Sequence, residues 1–220
     1  VVIDQLVFNT NPWQIRTWPA DPSLRLVANE ITEFDDPKDK AADRELRDLV
    51  IRMGTAMNAM GGLGLAAPQV GVKRRLIVLK DDSPKTRPPN ARPEKNMSCW
   101  AMCNPRILDQ SEEVEEDDEG CLSLPGMRVA IWRSVAVIVE SETTWGETLR
   151  VEAVGVEARV LQHEIDHLNG KLIVDYLEDP GDRRDAVTRL AMMAQQSRVE
   201  EAAQMREMAE NLQAALGSNE

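Results

Sequence analysis

Histidine occurs twice in the 220 residues, and both copies fall in QHEIDHLNG, residues 162–170. His163 and His167 stand four positions apart, with Glu164 directly after the first. In a helix, residues at i and i+4 share one face about a turn apart, so two imidazoles so placed can converge on one cation. Glu164 is turned by about 100° around the same axis, so it can stand beside the ion without ligating it. That placement suits a general base acting on a water activated by a metal. His-Glu-x-x-His is a recurrent metal-hydrolase pattern. The plainer reading is a pair of surface histidines on an amphipathic helix.

Two donors are too few, because a catalytic site of this kind generally takes three protein ligands and keeps one open position. The third could come from a carboxylate, and the acidic residues are too many to discriminate, or from Cys99, Cys103 or Cys121. Cys121 stands out because it lies in DEGCLSLPG, residues 118–126, a run of Gly, Ser and Pro just after an acidic stretch. A thiolate is also a stronger ligand than a carboxylate for a soft or borderline metal. Cys99 and Cys103 could form a C-x3-C pair, but no second pair completes such a site, and they read as ordinary thiols. A third stretch, GGLGLAAPQVG at 61–71, is broken by glycines and carries one amide, Gln69. It lacks the Lys-Ser/Thr ending of a phosphate-binding loop, and Ala67 spoils a G-x-G-x-x-G pattern. Its glycines can instead let a substrate backbone approach closely.

The elements that must position these groups can be read coarsely. Residues 1–40 are loop-rich, with Pro12, Pro19, Pro22 and Pro37 breaking any long element. From about Asp43 to Met60 the apolar residues Leu46, Leu49, Val50, Met53, Met57 and Met60 recur at a helical period, and Gly61-Gly62 stops it. RRLIVLK (74–80) and VAIWRSVAVIVES (129–141) read as strands, and 147–154 alternates as a half-buried strand does. The histidine helix is expected from Gly155 or Val156 through Leu168, with Gly170 as its stop. Residues 81–98, with four prolines, read as a surface loop, and SEEVEEDDE (111–119) reads as a solvated acidic loop. From Asp182 to about Leu216 there is neither Gly nor Pro, and one long helix is expected, with Met205, Met208, Leu212 and Leu216 as an apolar stripe. Such a helix either packs on its own domain or frays; assembly of oligomers is the sharper alternative.

Composition narrows the function classes. A net charge of −12 argues against direct nucleic-acid binding and against an anionic membrane surface. No apolar run reaches the ~18 residues of a membrane span. The segment VVIDQLVFNTNPW has no basic stretch followed by a long apolar one, so no secretory signal is expected. Three cysteines, an odd and low count, fit a reducing compartment.

Taken in order, GLGLAAPQVG, EGCLSLPG and QHEIDHLNG resemble the peptide deformylase family. The likeness extends to TWPADPSLR (17–25), the helix before Gly61, Asn104-Pro105 and Arg128, and covers roughly residues 13–178. It implies an α+β fold, mainly antiparallel sheet around a central helix that carries the His-Glu-x-x-His pattern. It implies a catalytic domain at 1–178 and a C-terminal helical extension at 179–220. Cys121, His163 and His167 would be metal ligands, with one divalent ion per chain: Fe²⁺ natively, and Zn²⁺, Ni²⁺ or Co²⁺ as replacements. The implied reaction removes the N-formyl group from the initiator methionine of new polypeptides and releases formate. Glu164 would be the acid–base group, and the Gln69 amide and the Leu122 backbone N–H would stabilise the developing oxyanion.

By the same resemblance Leu63, Gly64 and Gly120 align the peptide backbone, and Val156 and Val160 line the methionine pocket or are simply core. Asp166 reads better as a structural contact than as an orienter of histidine, and Glu119 could pair with Arg133 to hold the Cys121 segment. Trp132 and Glu157 depart from the family pattern without removing a ligand or the base. The expected partners are N-formylmethionyl peptides, nascent chains and the ribosome, with neither nucleic acid nor membrane. The expected location is a bacterial-type cytoplasm, or an organelle interior after removal of a transit peptide. An HExxH metalloprotease and a non-catalytic nascent-chain binder are the alternatives; Cys121, Gln69 and the complete chemical set argue against them.

Overall fold

A computed structural model describes residues 15–34, 45–81, 87, 88, 91 and 98–217. Among the described residues there are three α-helices: α1 (Glu45–Ala59), α2 (Val156–Leu168) and α3 (Pro180–Gly217). Seven strands among the described residues make two sheets. The larger contains β1 (Gly64–Ala66), β2 (Leu76–Lys80), β3 (Cys99–Gln110), β6 (Ala136–Glu142) and β7 (Thr148–Val154), in the order β1-β2-β3-β6-β7. The smaller is a hairpin of β4 (Val114–Cys121) and β5 (Leu124–Ser134). Every strand pairing is antiparallel, so the α+β architecture is observed.

The large sheet is covered on both faces, and β2 shows why its sequence is an unbroken apolar run. Its Leu76 and Val78 join Met53, Met57, Leu65 and Cys103 in a core beneath α1. Its Ile77 and Leu79 join Met102, Val139, Val151, Leu161 and Ile165 beneath α2. Cys99 and Cys103 are buried, without a disulfide. A third cluster, built on Leu124, Ile131, Leu172, Val174 and Leu190, seats the hairpin against the chain after α2 and the start of α3.

Two boundaries differ from the sequence reading. The acidic run expected to be a loop is largely β4. Its main chain pairs with β5 in the register Glu115↔Arg133, Glu116↔Trp132, Asp117↔Ile131 and Asp118↔Ala130, while the side chains from Val114 to Asp118 stay exposed. Strand pairing is a backbone property, so charge on the outward side chains does not forbid it. The apolar stretch 129–141 is also divided: β5 ends at Ser134, and β6 begins at Ala136 in the other sheet.

Helix α2 stops where expected, with Gly170 at φ 71°, a left-handed geometry that glycine adopts without strain. Helix α3 runs 38 residues. Its described buried positions are Ala186 and Leu190. The expected stripe from Met205 to Leu216 falls on side chains outside those described, as does most of the expected loop at 81–98.

Candidate functional site

Strand β4 ends on Cys121, and the chain turns through Leu122 and Ser123 before β5. Helix α2 lies across that turn. Cys121 Sγ is 3.3 Å from His167 Nε2. One donor atom each from Cys121, His163 and His167 lies within 4.8 Å of the others. The imidazole centroids are 4.9 Å apart with planes at 79°, edge to face. His163 Nδ1 and Glu119 Oε2 are 2.9 Å apart, which leaves Nε2 of His163 for the shared centre. One sulfur and two imidazole nitrogens are a donor set for a borderline divalent cation. The carboxylate behind His163 is the type of contact that orients a ligating imidazole. The residues present therefore fit a metal ion.

Beside the trio stands Glu164, 4 % exposed. Its Oε2 has no hydrogen-bond partner among the described residues. A Cβ placed on Gly64 would lie 2.5 Å from Glu164 Oε1, so only glycine lets β1 pass this close. Gln69, 2 % exposed, approaches from the other side on a short 3-10 turn. Its Oε1 accepts from the Ala66 N–H at 2.8 Å, which fixes Nε2 as the free end. Nε2 points toward Cys121 Sγ at 3.7 Å and donates to Ser123 Oγ at 3.2 Å. Leu122 packs over Gly62, whose hypothetical Cβ would meet Leu122 Cδ1 at 3.2 Å.

The remaining candidates are spread around this centre. Leu63, Val156 and Val160 line a cavity of about 240 Å³ together with Leu79, Trp100 and Val151. Val156 is 64 % exposed, while Val160 packs partly against the core. Gly120 lies on the hairpin opposite Arg128, where a Cβ would make ordinary contacts with Arg128 Nη1 at 3.7 Å and the Met127 carbonyl oxygen at 3.8 Å. Another cavity, about 310 Å³, lies between β5 and α3 and contains none of the candidate residues.

Behind the histidines runs a buried ionic network. Arg133 gives Nε to Glu119 Oε1 at 2.9 Å and Nη2 to Oε2 at 3.0 Å. Its Nη1 reaches Asp166 Oδ2 and the Tyr176 hydroxyl, each at 2.7 Å, and that hydroxyl donates to Asp166 Oδ2 at 2.7 Å. Asp166 thus bonds to Arg133 and Tyr176, a structural contact. Arg159 adds a second guanidinium to Glu119 Oε1 at 3.0 Å. Arg159, Ser123 and Tyr176 were not singled out from sequence. The available signal was that Arg159 stands one helical turn before His163 and Ser123 two residues after Cys121.

The electrostatics divide along the same lines. Burial opposes ionisation of Glu119, yet His163 and Arg133 outweigh it and hold the carboxyl at about 2. Burial disfavours charge on His163, but Cys121 and Glu119 overcome this and push it up to about 10. Burial, then the charges of His163 and Arg133, drive His167 well below the ordinary range. Burial pushes Glu164 up to about 7, with His163 pulling down and Glu119 pushing up. A carboxyl near neutrality can both accept and return a proton. A cation at the centre competes with the proton on His163, since a ligating imidazole must be neutral.

The chain is similar to known proteins over most of its length. A profile of polypeptide deformylase matches residues 13–183. The peptide deformylase of Thermodesulfovibrio yellowstonii is 40% identical over 162 residues, 74% of this chain and 87% of that protein. The crystal structure of peptide deformylase from Ehrlichia chaffeensis superposes with a TM-score of 0.69 at 33% identity, covering 84% of this chain and 97% of that one. The same enzyme in complex with actinonin gives 0.68 at 34% identity, covering 82% and 96%.

Proposed function

This chain belongs to the polypeptide deformylase family, and on that premise we propose that it removes the formyl group from the N-terminal methionine of newly made polypeptides at the centre formed by Cys121, His163 and His167. The observation that carries the reading is Glu164. It is a buried carboxyl with an unpartnered oxygen, set beside three convergent metal donors and held open by Gly64.

Cys121, His163 and His167 would hold a divalent ion, with Fe²⁺ proposed as the native one. Such an ion supplies a Lewis acid and acidifies a water enough to make a nucleophile at neutral pH. Glu164 Oε2 accepts the proton released as the water oxygen bonds to the formyl carbon. Negative charge then grows on the former carbonyl oxygen, where Gln69 Nε2 and the Leu122 N–H are assigned as donors. Removing one such donor generally costs ~10²–10³ in rate. The carbon–nitrogen bond breaks, Glu164 returns its proton to the amine, and formate leaves.

Leu63, Gly64 and Gly120 are assigned to the peptide backbone, and Val156 and Val160 to the methionine side chain. The apolar cavity beside Leu63 supports the last assignment. The division into a catalytic domain at 1–178 and a helical extension at 179–220 belongs to this reading. So do association with the ribosome and a bacterial-type cytosol or organelle interior; co-sedimentation with translating ribosomes and cell fractionation test these.

The direct test is anaerobic release of formate from a formyl-methionyl peptide, with metal analysis of the same sample, because a ferrous ion and its thiolate ligand are air-sensitive. Formate release with one ion per chain is the expected result, and Cys121→Ala should lose the ion. An active Cys121→Ala protein with a full metal complement would remove the sulfur from the centre.

A further inference from the structure

Among the described residues Glu119 has two guanidinium partners, and of these Arg133 comes from its own hairpin. Arg159 comes from α2, and its side chain is 13 % exposed. Its Nη1 donates to Glu119 Oε1 at 3.0 Å and to the Ile131 carbonyl at 2.8 Å. Its Nη2 donates to the Glu115 carbonyl at 2.7 Å. One side chain therefore spans α2, β4 and β5. The sulfur of the proposed metal centre ends β4, and both imidazoles stand on α2.

We infer that Arg159 is a positioning residue that fixes the sulfur-bearing strand against the imidazole-bearing helix and so sets the spacing of Cys121 from His163 and His167. The inference rests on reading those three residues as metal-binding. A guanidinium is a planar fork of five donors with a permanent charge, so it can serve three acceptors on two strands at once. An ammonium is a point donor and cannot reproduce that fork.

The hairpin has other ties to α2. Arg133 reaches Asp166, and Gln162 exchanges hydrogen bonds with the main chain of Ser134 at 2.9 and 3.3 Å. Those ties land on β5. Arg159, and His163 through Glu119, tie α2 to β4 ahead of the sulfur, and His167 meets Cys121 at the centre itself. Without Arg159 the hairpin stays docked and Glu119 keeps Arg133. What is lost is the guanidinium hold on β4 outside the centre, and the displacement passes through Glu119 to His163.

The test titrates the parent protein, Arg159→Lys and Arg159→Gln with Co²⁺. The near-ultraviolet thiolate-to-cobalt band reports sulfur ligation, and the visible bands report coordination geometry; thermal melts run in parallel. Both variants are expected to fold, with Co²⁺ affinity down ~10-fold in Arg159→Gln and by less in Arg159→Lys, the range seen for groups that orient metal ligands. The cobalt bands should shift with affinity, and kcat should fall with KM unchanged. If Arg159→Gln does not fold, Arg159→Lys, which keeps the charge and the stem, decides the question. Parent-like bands and affinity in a folded variant, whatever its melting temperature, would show that Arg159 only stabilises the fold and would overturn the inference. A parent protein that takes up no Co²⁺ would instead overturn the metal reading on which it rests.

Discussion

Two groups of buried polar atoms meet on helix α2, and they are treated in opposite ways. On the hairpin side, Glu119, Arg133, Asp166 and Tyr176 satisfy one another through bonds of 2.7–3.0 Å. On the side facing Gly64 and Gln69, Glu164 Oε2 is without a partner among the described residues, and the adjacent His167 Nδ1 is as well. Glu119 and Arg133 are buried as Glu164 and His167 are, so burial does not distinguish the two groups. Completeness of hydrogen bonding does. Buried polar atoms are normally paired, and an unpaired carboxyl oxygen keeps its capacity for something outside the chain. The satisfied group reads as scaffold and the unsatisfied group as chemistry.

That contrast can be broken by mutation. The largest effect should come from Glu164→Gln, which keeps the shape and removes the proton acceptor. Formate release should fall ~10²–10⁴-fold, the usual worth of general acid–base catalysis. The melting temperature should not fall, because no partner is orphaned. Near-parental turnover would strip Glu164 of its role.

The converse change is Glu119→Ala, which leaves Arg133 and Arg159 buried without their carboxylate. Breaking a buried ion pair from one side costs about 3–5 kcal/mol, readable as a lower denaturant midpoint. Unchanged stability would refute the scaffold assignment.

A smaller effect is expected from Gly64→Ala. The new methyl would meet Glu164 Oε1 at 2.5 Å, so the carboxyl must move. A misplacement of this order lowers kcat by about 10–10²-fold, and steady-state kinetics would show it.

The smallest effect is spectroscopic. Tyr176 is the single tyrosine of the chain. Burial, then its hydrogen bond to Asp166, raises its pKa above the ordinary value of about 10. A raised pKa favours the protonated phenol in the folded state. Its contribution to stability is therefore complete below pH of about 10 and is lost as pH climbs through the higher folded value. Phenolate absorbance should appear later in the folded protein than in the chain unfolded by denaturant. Coincident titrations would place the hydroxyl outside the network.

The two groups were unequally legible in the sequence. His163, Glu164 and His167 announce themselves because helical periodicity converts spacing directly into a shared face. Cys121 stands out by its local Gly, Ser and Pro run and Gln69 by its glycine-broken loop, but their roles at the centre needed family resemblance, since nothing local says that a turn at 121 meets a helix at 163. Glu119, Arg133, Asp166, Arg159 and Tyr176 come from β4, β5, α2 and the chain after it, and ordinary acidic and basic residues carry no spacing signal of their own. The pairing of Glu119 with Arg133 was anticipated from resemblance, and Asp166 as a structural contact without its partners. The acidic stretch that became β4 was misread because its side chains report solvent exposure, whereas its conformation is set by main-chain pairing with β5. The divided apolar run at 129–141 hid a change of sheet at Val135 for the same reason: both halves are strand-like, and composition does not mark where a strand changes neighbours.

Cys121 and His167 are 46 positions apart in the chain. An unfolded molecule can offer a cation the two histidines of one short segment but not the sulfur as well, so the complete grip exists only after the hairpin has docked. Ion uptake and folding are therefore thermodynamically linked. At a free ion concentration one hundred times its dissociation constant, the folded state gains ~2.7 kcal/mol, and a chelator should lower the melting temperature correspondingly.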